Sequence, residues 1–471
     1  MKLKNILILL FSLAISALSA QDGYRIEVDI EGFEGEELYL GYYLMDKQYI
    51  QDTVYRTAEG NYIFEGEEPL KPGMYLVVLP PDNNFFQLIV NKEEQQMRVQ
   101  SNLADLNADI QFEGSEDNSL LYNYINTLSQ LRPQAEQLGQ KVQSLPANSP
   151  DRKQVEQELE QINQKVMAMQ KEIVEEHPQS MTAAIIKANQ QVEVPEFEGD
   201  PKDVQMKQYL YMREHYFDNI DMQDERLLRS PFLYQKVDFF VNKYHLQHPD
   251  TLCQAIQKVL GLMEGTEETF QFYVSHFLNQ YAKSKLVGMD GVYVCLVDNY
   301  YGAGKTPWVE EEQLKKIVDN GNKLKPLLIG KIAPDFRVEK KDGTKTSLHE
   351  VDSDITVLYF WRYDCGHCKE STPFLKEFYE NYKDKGIEIF AVCVKFTDEV
   401  SGCWDYIEEN GISDWIHTVD PYLRSKFTTL YDIQSTPQIY ILDEKKEILS
   451  KKIGAEQLGE VIDKIIEMRG E

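Results

Sequence analysis

The sequence predicts a multidomain protein with an N-terminal antiparallel β-sandwich over residues 22–115, a central all-α region over 116–325 and a C-terminal α/β domain over 326–471. Three changes of pattern carry this reading. Period-two alternation marks the first segment, apolar residues three and four apart mark the second, and apolar strands alternating with helical stretches mark the third.

Residues 1–20 precede all three. Lys2 and Lys4 are followed by an apolar run from Ile6 to Leu18 and by the small residues Ser19 and Ala20, the order of a cleaved secretory signal. A membrane anchor needs about 18 to 20 apolar residues, and this run is shorter. The expected mature protein is therefore exported, with no stable membrane insertion. The first cysteine is Cys253, so none stands near the processing point to carry a lipid. The formal net charge of −29 and the absence of a basic stripe exclude nucleic acid as an expected partner. An acidic, solvated surface accounts for the charge.

In the first domain the alternating stretches are Tyr24–Ile30, Glu37–Tyr43, Tyr62–Phe64, Met74–Leu79 and Phe86–Val90, punctuated by Gly, Pro and Asn. After Asp117 the apolar residues Leu120, Leu121, Tyr124, Ile125 and Leu128, and later Val155, Leu159, Ile162 and Val166, follow helical spacing. The breaker Leu145-Pro146-Ala147-Asn148-Ser149-Pro150 divides them, so 118–144 and 151–175 are expected as an antiparallel helical hairpin. Intramolecular packing is the reading of that hairpin; a partner-binding coiled coil is the alternative. In the third domain the expected elements are strands at Thr356–Trp361, Ile387–Val394, Gln438–Leu442 and Ile448–Ile453. Helices are expected at Gly366–Lys383, Glu399–Asn410, Pro421–Tyr431 and Ala455–Met468.

The chemistry concentrates at Cys365-Gly366-His367-Cys368, where an apolar strand gives way to a helix. A cysteine at a helix N-terminus meets unpaired backbone N–H groups and the positive end of the macrodipole. Its thiolate is thereby stabilised near neutral pH. Cys368, one turn further on, is placed to close a disulfide with it. Gly366 and His367 lie between the two sulfurs. His367 is placed to offer the thiolate a hydrogen bond or positive charge, which makes the pair more oxidising. Couples of this type sit at about −180 mV against about −270 mV for thioredoxin.

Other readings of the motif fare worse. Haem attachment needs His directly after the second cysteine, and Lys369 stands there. Half a zinc site lacks a second Cys/His pair. A plain structural disulfide is the bland alternative, in an unusual place for one. Six cysteines in so long a chain are too few for a disulfide scaffold. Cys393, in an apolar strand, reads as a buried core thiol, with a bridge to Cys403 as the alternative. Cys253 and Cys295 fall in helical segments, where a mutual bridge is again the alternative. Gly302-Ala303-Gly304-Lys305-Thr306 lacks the leading glycine and strand of a phosphate loop and reads as an interhelix loop. The scattered histidines indicate no metal, and no cofactor is implied.

From about Ile329 to the end, the chain resembles the thioredoxin-fold domain of TlpA-like exported thiol:disulfide oxidoreductases. The resemblance rests on the lead-in Gly330-Lys331-Ile332-Ala333-Pro334-Asp335-Phe336, on Phe360-Trp361-Arg362-Tyr363-Asp364-Cys365, on Pro373 in the first active-site helix and on Ser435-Thr436-Pro437. It implies Cys365 as nucleophile, Cys368 as resolving thiol, Pro437 as a cis-proline facing the disulfide and Thr436 as the backbone that pairs with a substrate strand. Two positions depart from the family. Tyr359 stands where thioredoxin keeps a buried aspartate, and Ser371 stands where many relatives have a glutamate, with Glu370 on another side of the helix. Residues 24–115 resemble, more weakly, a β-domain of unknown function fused ahead of such domains in gut Gram-negative bacteria, which implies the periplasm. The expected partners are protein thiols and disulfides and an unidentified redox partner, with a homodimer left open. A thiol peroxidase is excluded because its peroxidatic motif is missing. A scaffold that binds substrate or partner and carries an accessory redox module is the remaining rival.

Overall fold

The computed structural model describes residues 23–470, so the expected signal segment lies outside the described residues. The chain divides into two compact units, one ending at Asp238 and the other beginning at Phe239.

The first unit opens with eight strands: β1 (Tyr24–Glu31), β2 (Glu37–Leu44), β3 (Lys47–Tyr55), β4 (Tyr62–Gly66), β5 (Gly73–Leu79), β6 (Asn84–Val90), β7 (Gln96–Asn102) and β8 (Gln111–Glu113). They form two four-stranded sheets of order β4-β1-β7-β8 and β3-β2-β5-β6. Alternate residues such as Ile26, Val28 and Ile30 are buried, as a half-covered strand requires. The expectation of wholly antiparallel sheets is corrected, because β1 and β7 pair in parallel. Alternation reports which face is buried and says nothing about strand direction. Strand β3 escaped the sequence reading because nearly all its residues are exposed and it carries no alternation.

Helices α1 (Glu116–Ser144) and α2 (Pro150–Glu176) correspond to the expected hairpin, and α3 (Met181–Asn189) and α4 (Pro201–Glu214) follow. Ser115 and Ser149 cap the first two through their side-chain oxygens. The buried Asp117 carboxylate accepts from the backbone N–H groups of Met181, at 2.6 Å, and Thr182, at 3.0 Å, so one acidic residue satisfies two of the orphan donors opening α3, and the Ser180 hydroxyl takes that of Ala183. Asn118 binds both the N–H and the C=O of Ile89, each at 2.7 Å, and ties α1 to β6.

Helix α5 (Pro231–Lys243) leads into the second unit, which contains α6 (Pro249–Met263), α7 (Glu268–Ala282), α8 (Asp290–Leu296) and α9 (Glu311–Leu324). A disulfide joins Cys253 on α6 to Cys295 on α8, with a Cα separation of 6.3 Å. The reading of these two as unbridged thiols is thereby corrected. Forty-two positions separate them in sequence, and only helix packing brings them within disulfide reach.

The C-terminal sheet has seven strands in the order β10-β9-β13-β12-β11-β14-β15. These are β9 (Arg337–Glu339), β10 (Lys345–Ser347), β11 (Ile355–Trp361), β12 (Ile387–Cys393), β13 (Ile416–Val419), β14 (Gln438–Asp443) and β15 (Ile448–Lys451). Strand β11 pairs in parallel with β12 and antiparallel with β14, which is the mixed plan that alternating elements ending in a hairpin require. All seven residues of β11 are buried. Val357, Tyr359 and Trp361 enter one core with Cys368, Leu375 and Phe378, while Leu358 and Phe360 enter the other with Phe336 and Tyr431. Burial on both faces explains the unbroken apolar run. Helices α10 (Gly366–Tyr382), α11 (Ser401–Asn410), α12 (Phe427–Leu430) and α13 (Leu458–Gly470) complete the domain.

The helix expected at Pro421–Tyr431 shrinks to the single turn α12. Leu423 and Lys426 have φ of 52° and 55°, and the Asp420 carboxylate takes the N–H groups of Arg424 and Ser425 into a local turn instead. Strand β13 went unread because His417 and Thr418 interrupt its apolar pattern, although both are buried. Cys393 is bonded to Cys403 of α11, with a Cα separation of 6.4 Å. This overturns the reading of Cys393 as a free core thiol and bears out the alternative, a bridge to Cys403. Ten positions separate these two, enough for the chain to leave β12, turn, and return as α11.

Candidate active site

Cys365 follows β11 across three residues and is the N-cap of α10, with φ −88° and ψ 122°. Its thiol is partly exposed and free, and Cys368 is free and 1% exposed. The site is therefore in its dithiol form. Pro373 sits inside α10, where it can give no N–H to the carbonyl of Lys369.

The two sulfurs differ because their surroundings differ. Partial burial opposes a charge on Cys365. Hydrogen bonds from the Cys368 thiol, the Thr436 side chain and the backbone N–H groups of Cys368 and His367 outweigh it and pull the thiol below its usual value of 9.0. Burial pushes Cys368 up to about 12, and the neighbouring Cys365 adds to that rise. One thiol is thus poised as a nucleophile and the other is held protonated.

Thr436 and Pro437 form the opposite wall. Their peptide bond is cis, and the Cys365 thiol donates to the Thr436 carbonyl at 3.3 Å. Gly366 begins the helix, exposed, with open space where a β-carbon would stand. His367 gives Cys365 its backbone N–H, whereas its imidazole is exposed, with Nδ1 3.1 Å from the Glu370 carboxylate. The structure thus gathers Cys365, Cys368 and Thr436 with Pro437, and turns the His367 ring toward Glu370.

Tyr359, noted in the sequence as a departure from thioredoxin, and Arg362, Asp364 and Lys395, to which the sequence assigned no role, also adjoin the site. Tyr359 is 1% exposed, and burial, then the charges of Cys368, Tyr406 and Cys365, hold its hydroxyl well above 10.0. That hydroxyl completes no hydrogen bond of good geometry, and the Cys368 thiol is the polar group beside it. Asp364 receives Arg362 as a fork, at 3.0 and 2.9 Å, and Lys395 at 2.9 Å. Those partners, Arg362 first, bring its carboxyl down to about 2. The signal in the sequence was slight: an Arg-x-Asp immediately before the cysteine, and a lysine two positions past the end of an apolar strand. Among the described residues no group of three or more His, Cys, Asp or Glu side chains is placed to hold a metal ion, and no helix is long and apolar enough to cross a membrane.

Residues 328–465 match the Redoxin family, and residues 24–121 and 147–325 match two domains of unknown function, DUF4369 and DUF5106. The thiol-disulfide oxidoreductase ResA of Bacillus anthracis is 29% identical over 140 residues, covering 29% of this chain and 78% of its own. The thioredoxin-like protein YneN of Bacillus subtilis is 30% identical over 130 residues, 26% of this chain and 71% of its own. Among solved structures, a domain of a possible thiol-disulfide isomerase from Cytophaga hutchinsonii is 33% identical, covers 31% of this chain and 97% of that one, and has a TM-score of 0.29. A thioredoxin-like protein from Bacteroides caccae is 19% identical, covers 58% and 98%, and has a TM-score of 0.44. With a relative 30% identical across 71% of its length, and the Redoxin match at residues 328–465, the chain belongs to the thioredoxin-like thiol-disulfide oxidoreductases.

Proposed function

We propose that this protein exchanges disulfides with protein substrates in the periplasm through Cys365 and Cys368. The observation that carries the reading is the asymmetry of the pair, an accessible, stabilised thiol at a helix N-terminus beside a buried, protonated one.

The Cys365 thiolate attacks one sulfur of a substrate disulfide; the S–S bond breaks and the departing sulfur leaves as thiolate, giving a mixed disulfide. Cys365 is now uncharged, so its contribution to the high pKa of Cys368 is gone. Cys368 loses its proton and attacks Cys365, which releases the second substrate thiol. The substrate has gained two electrons and the enzyme has become the disulfide. A thiol donor of a separate redox partner returns it to the dithiol. Run backwards, the same steps oxidise or isomerise. In this scheme Thr436, ahead of Pro437, offers its backbone to the substrate strand, and Gly366 and His367 tune the couple.

Export is supported by the leader-like residues 1–20 and by the two further disulfides, which suit an oxidising compartment. The separate matches at 24–121, 147–325 and 328–465 support domains at 22–115, 116–325 and 326–471. Within the first, two sheets with alternately buried residues support a sandwich. The test is the reduction potential of the pair in glutathione buffers, read by thiol trapping and mass spectrometry. A reversible couple between about −270 and −120 mV, absent from Cys365→Ser, is expected. A pair that stays oxidised at every accessible potential refutes the reading.

A further inference from the structure

The exchange steps call on nothing beyond the two thiols and the wall facing them, yet the approach to Cys365 is gripped by a second set of residues. Lys395 stands two positions beyond β12, and its side chain is only 6% exposed. Its ammonium lies 2.9 Å from the Asp364 carboxylate, 2.8 Å from that of Glu399 and 5.1 Å from the centre of the Tyr363 ring. Tyr363 and Asp364 are the last two residues before the nucleophile. A covered ammonium is costly unless carboxylates surround it, so the pairing with Asp364 and Glu399 fixes where the lysine can be.

The loop that carries Lys395 and Glu399 joins β12 to α11, and the Cys393–Cys403 disulfide closes it at both ends. Cys393 stands opposite Trp361 in the β12–β11 register, and Val394 donates its N–H to the Trp361 carbonyl at 2.8 Å. The Tyr363 ring comes so near Gly402, beside Cys403, that a β-carbon there would lie 2.7 Å from it. The disulfide-closed loop and the segment leading to Cys365 are therefore in register at a strand pair, an ion pair and a ring contact.

The electrostatic consequence follows from Asp364. A carboxylate one residue from Cys365, left uncompensated, opposes a thiolate there. Arg362 and Lys395 offset it. The charged and titratable groups around Lys395 are Asp364, Glu399 and Arg362. Those around Cys365 are Cys368, Tyr359 and Arg362. Arg362 faces both the Asp364 carboxylate and Cys365, so Lys395 is linked to the thiol through Asp364 and the Arg362 that shares that carboxylate.

We propose that Lys395 is a positioning residue for the Cys365 thiolate, acting through Asp364 and kept in place by the Cys393–Cys403 disulfide. The proposal rests on Cys365 being the nucleophile. The experiment is the pH dependence of iodoacetamide labelling of Cys365 in the full-length chain, after mild reduction, read on the Cys365 peptide by mass spectrometry. Lys395→Met is expected to raise the labelling midpoint by about half a pH unit, and below that midpoint to slow the reaction by roughly twofold once the greater nucleophilicity of the more basic thiolate is counted. Adding Asp364→Asn to Lys395→Met is expected to restore the midpoint, because the charge that Lys395 offsets is then gone. Asp364→Asn alone, at a side chain 39% exposed, should lower the midpoint and guards against a lysine variant that does not fold. Cys393→Ala with Cys403→Ala should shift it upward, as Lys395→Met does. A folded Lys395→Met or Asp364→Asn with an unchanged midpoint, or a double charge variant that keeps the shift, overturns the role of Lys395; an unchanged midpoint in the cysteine pair overturns the role of the disulfide. Failure of the underlying reading shows separately, as a wild-type pair with no reversible couple in glutathione buffers.

Discussion

Alkylation of the reduced protein tests the asymmetry on which the mechanism depends. With Cys368 at about 12, its thiolate fraction at pH 7.5 is about 3 × 10⁻⁵. Cys365, below 9.0, is more than about 3% thiolate under the same conditions. The ratio is at least about a thousand, but the more basic thiolate is also the better nucleophile. With a Brønsted slope of about 0.5, three decades of basicity return about thirtyfold. The net preference for Cys365 is therefore at least about thirtyfold, and the 1% exposure of Cys368 widens it. A short pulse of iodoacetamide at pH 7.5, followed by peptide mass spectrometry, should find one label per dithiol, on Cys365, and none in that peptide from Cys365→Ser. Labelling of Cys368 at a rate within tenfold of Cys365 would refute the reasoning, since no arrangement in which Cys368 is buried and protonated permits it.

Two further predictions concern the core beneath the site. His417 is 8% exposed, and burial brings it down to about 4 from 6.5. A depressed folded-state value means the unfolded chain binds the extra proton first, so the stability is intact above 6.5 and is lost as pH falls toward 4. The cost at pH 5 relative to pH 7 is about 2 kcal/mol, and His417→Gln should flatten that difference. Urea unfolding followed by tryptophan emission reads the second unit alone, because Trp308, Trp361, Trp404 and Trp415 are the chain's four tryptophans. An equal pH slope in both proteins contradicts the assignment. For Tyr359→Phe, the hydroxyl removed is buried and completes no hydrogen bond of good geometry, with the Cys368 thiol beside it, so stability should change by no more than about 1 kcal/mol. Exchange rates at pH 7 should stay within about threefold, since a phenol held well above 10.0 takes up no proton there. A large loss of rate would show that the hydroxyl acts in the proton transfers.

What the sequence disclosed, and what it withheld, divides along physical lines. The run Thr356–Trp361, the helix opened by Cys365 and the hairpin 438–451 were legible because each is a local pattern of burial or backbone punctuation. Strand β13 was not, because His417 and Thr418 are polar and find their partners inside, on the carbonyls of Ile412 and Ala391. The short hairpin β9–β10 offers three residues per strand, too few for a period to show. The parallel pairing of β1 with β7 depends on a crossover between strands some seventy residues apart (Arg25 opposite Gln96), which no local window contains. The disulfides follow the same rule: cysteine spacing bounds the loops they close, while helix and strand packing decides which thiols meet.

The cysteine pair shows the same division at a finer scale. The proposal that Cys365 is the reactive thiol rests on a motif and the dipole of a helix, both written in consecutive residues. How reactive it is depends on Asp364, and on the cations that offset it, one from the adjoining segment and one from a loop thirty residues later. Arg362 is fixed by its fork on the same carboxylate; Lys395 is fixed by a loop whose two ends are covalently joined. A sequence change in that loop, far from the motif in the chain, alters the charge balance beside the nucleophile while leaving the four motif residues untouched. Relatives with the same four residues but a different residue at the position of Lys395 would therefore differ in thiol acidity, and hence in the direction in which exchange is favoured.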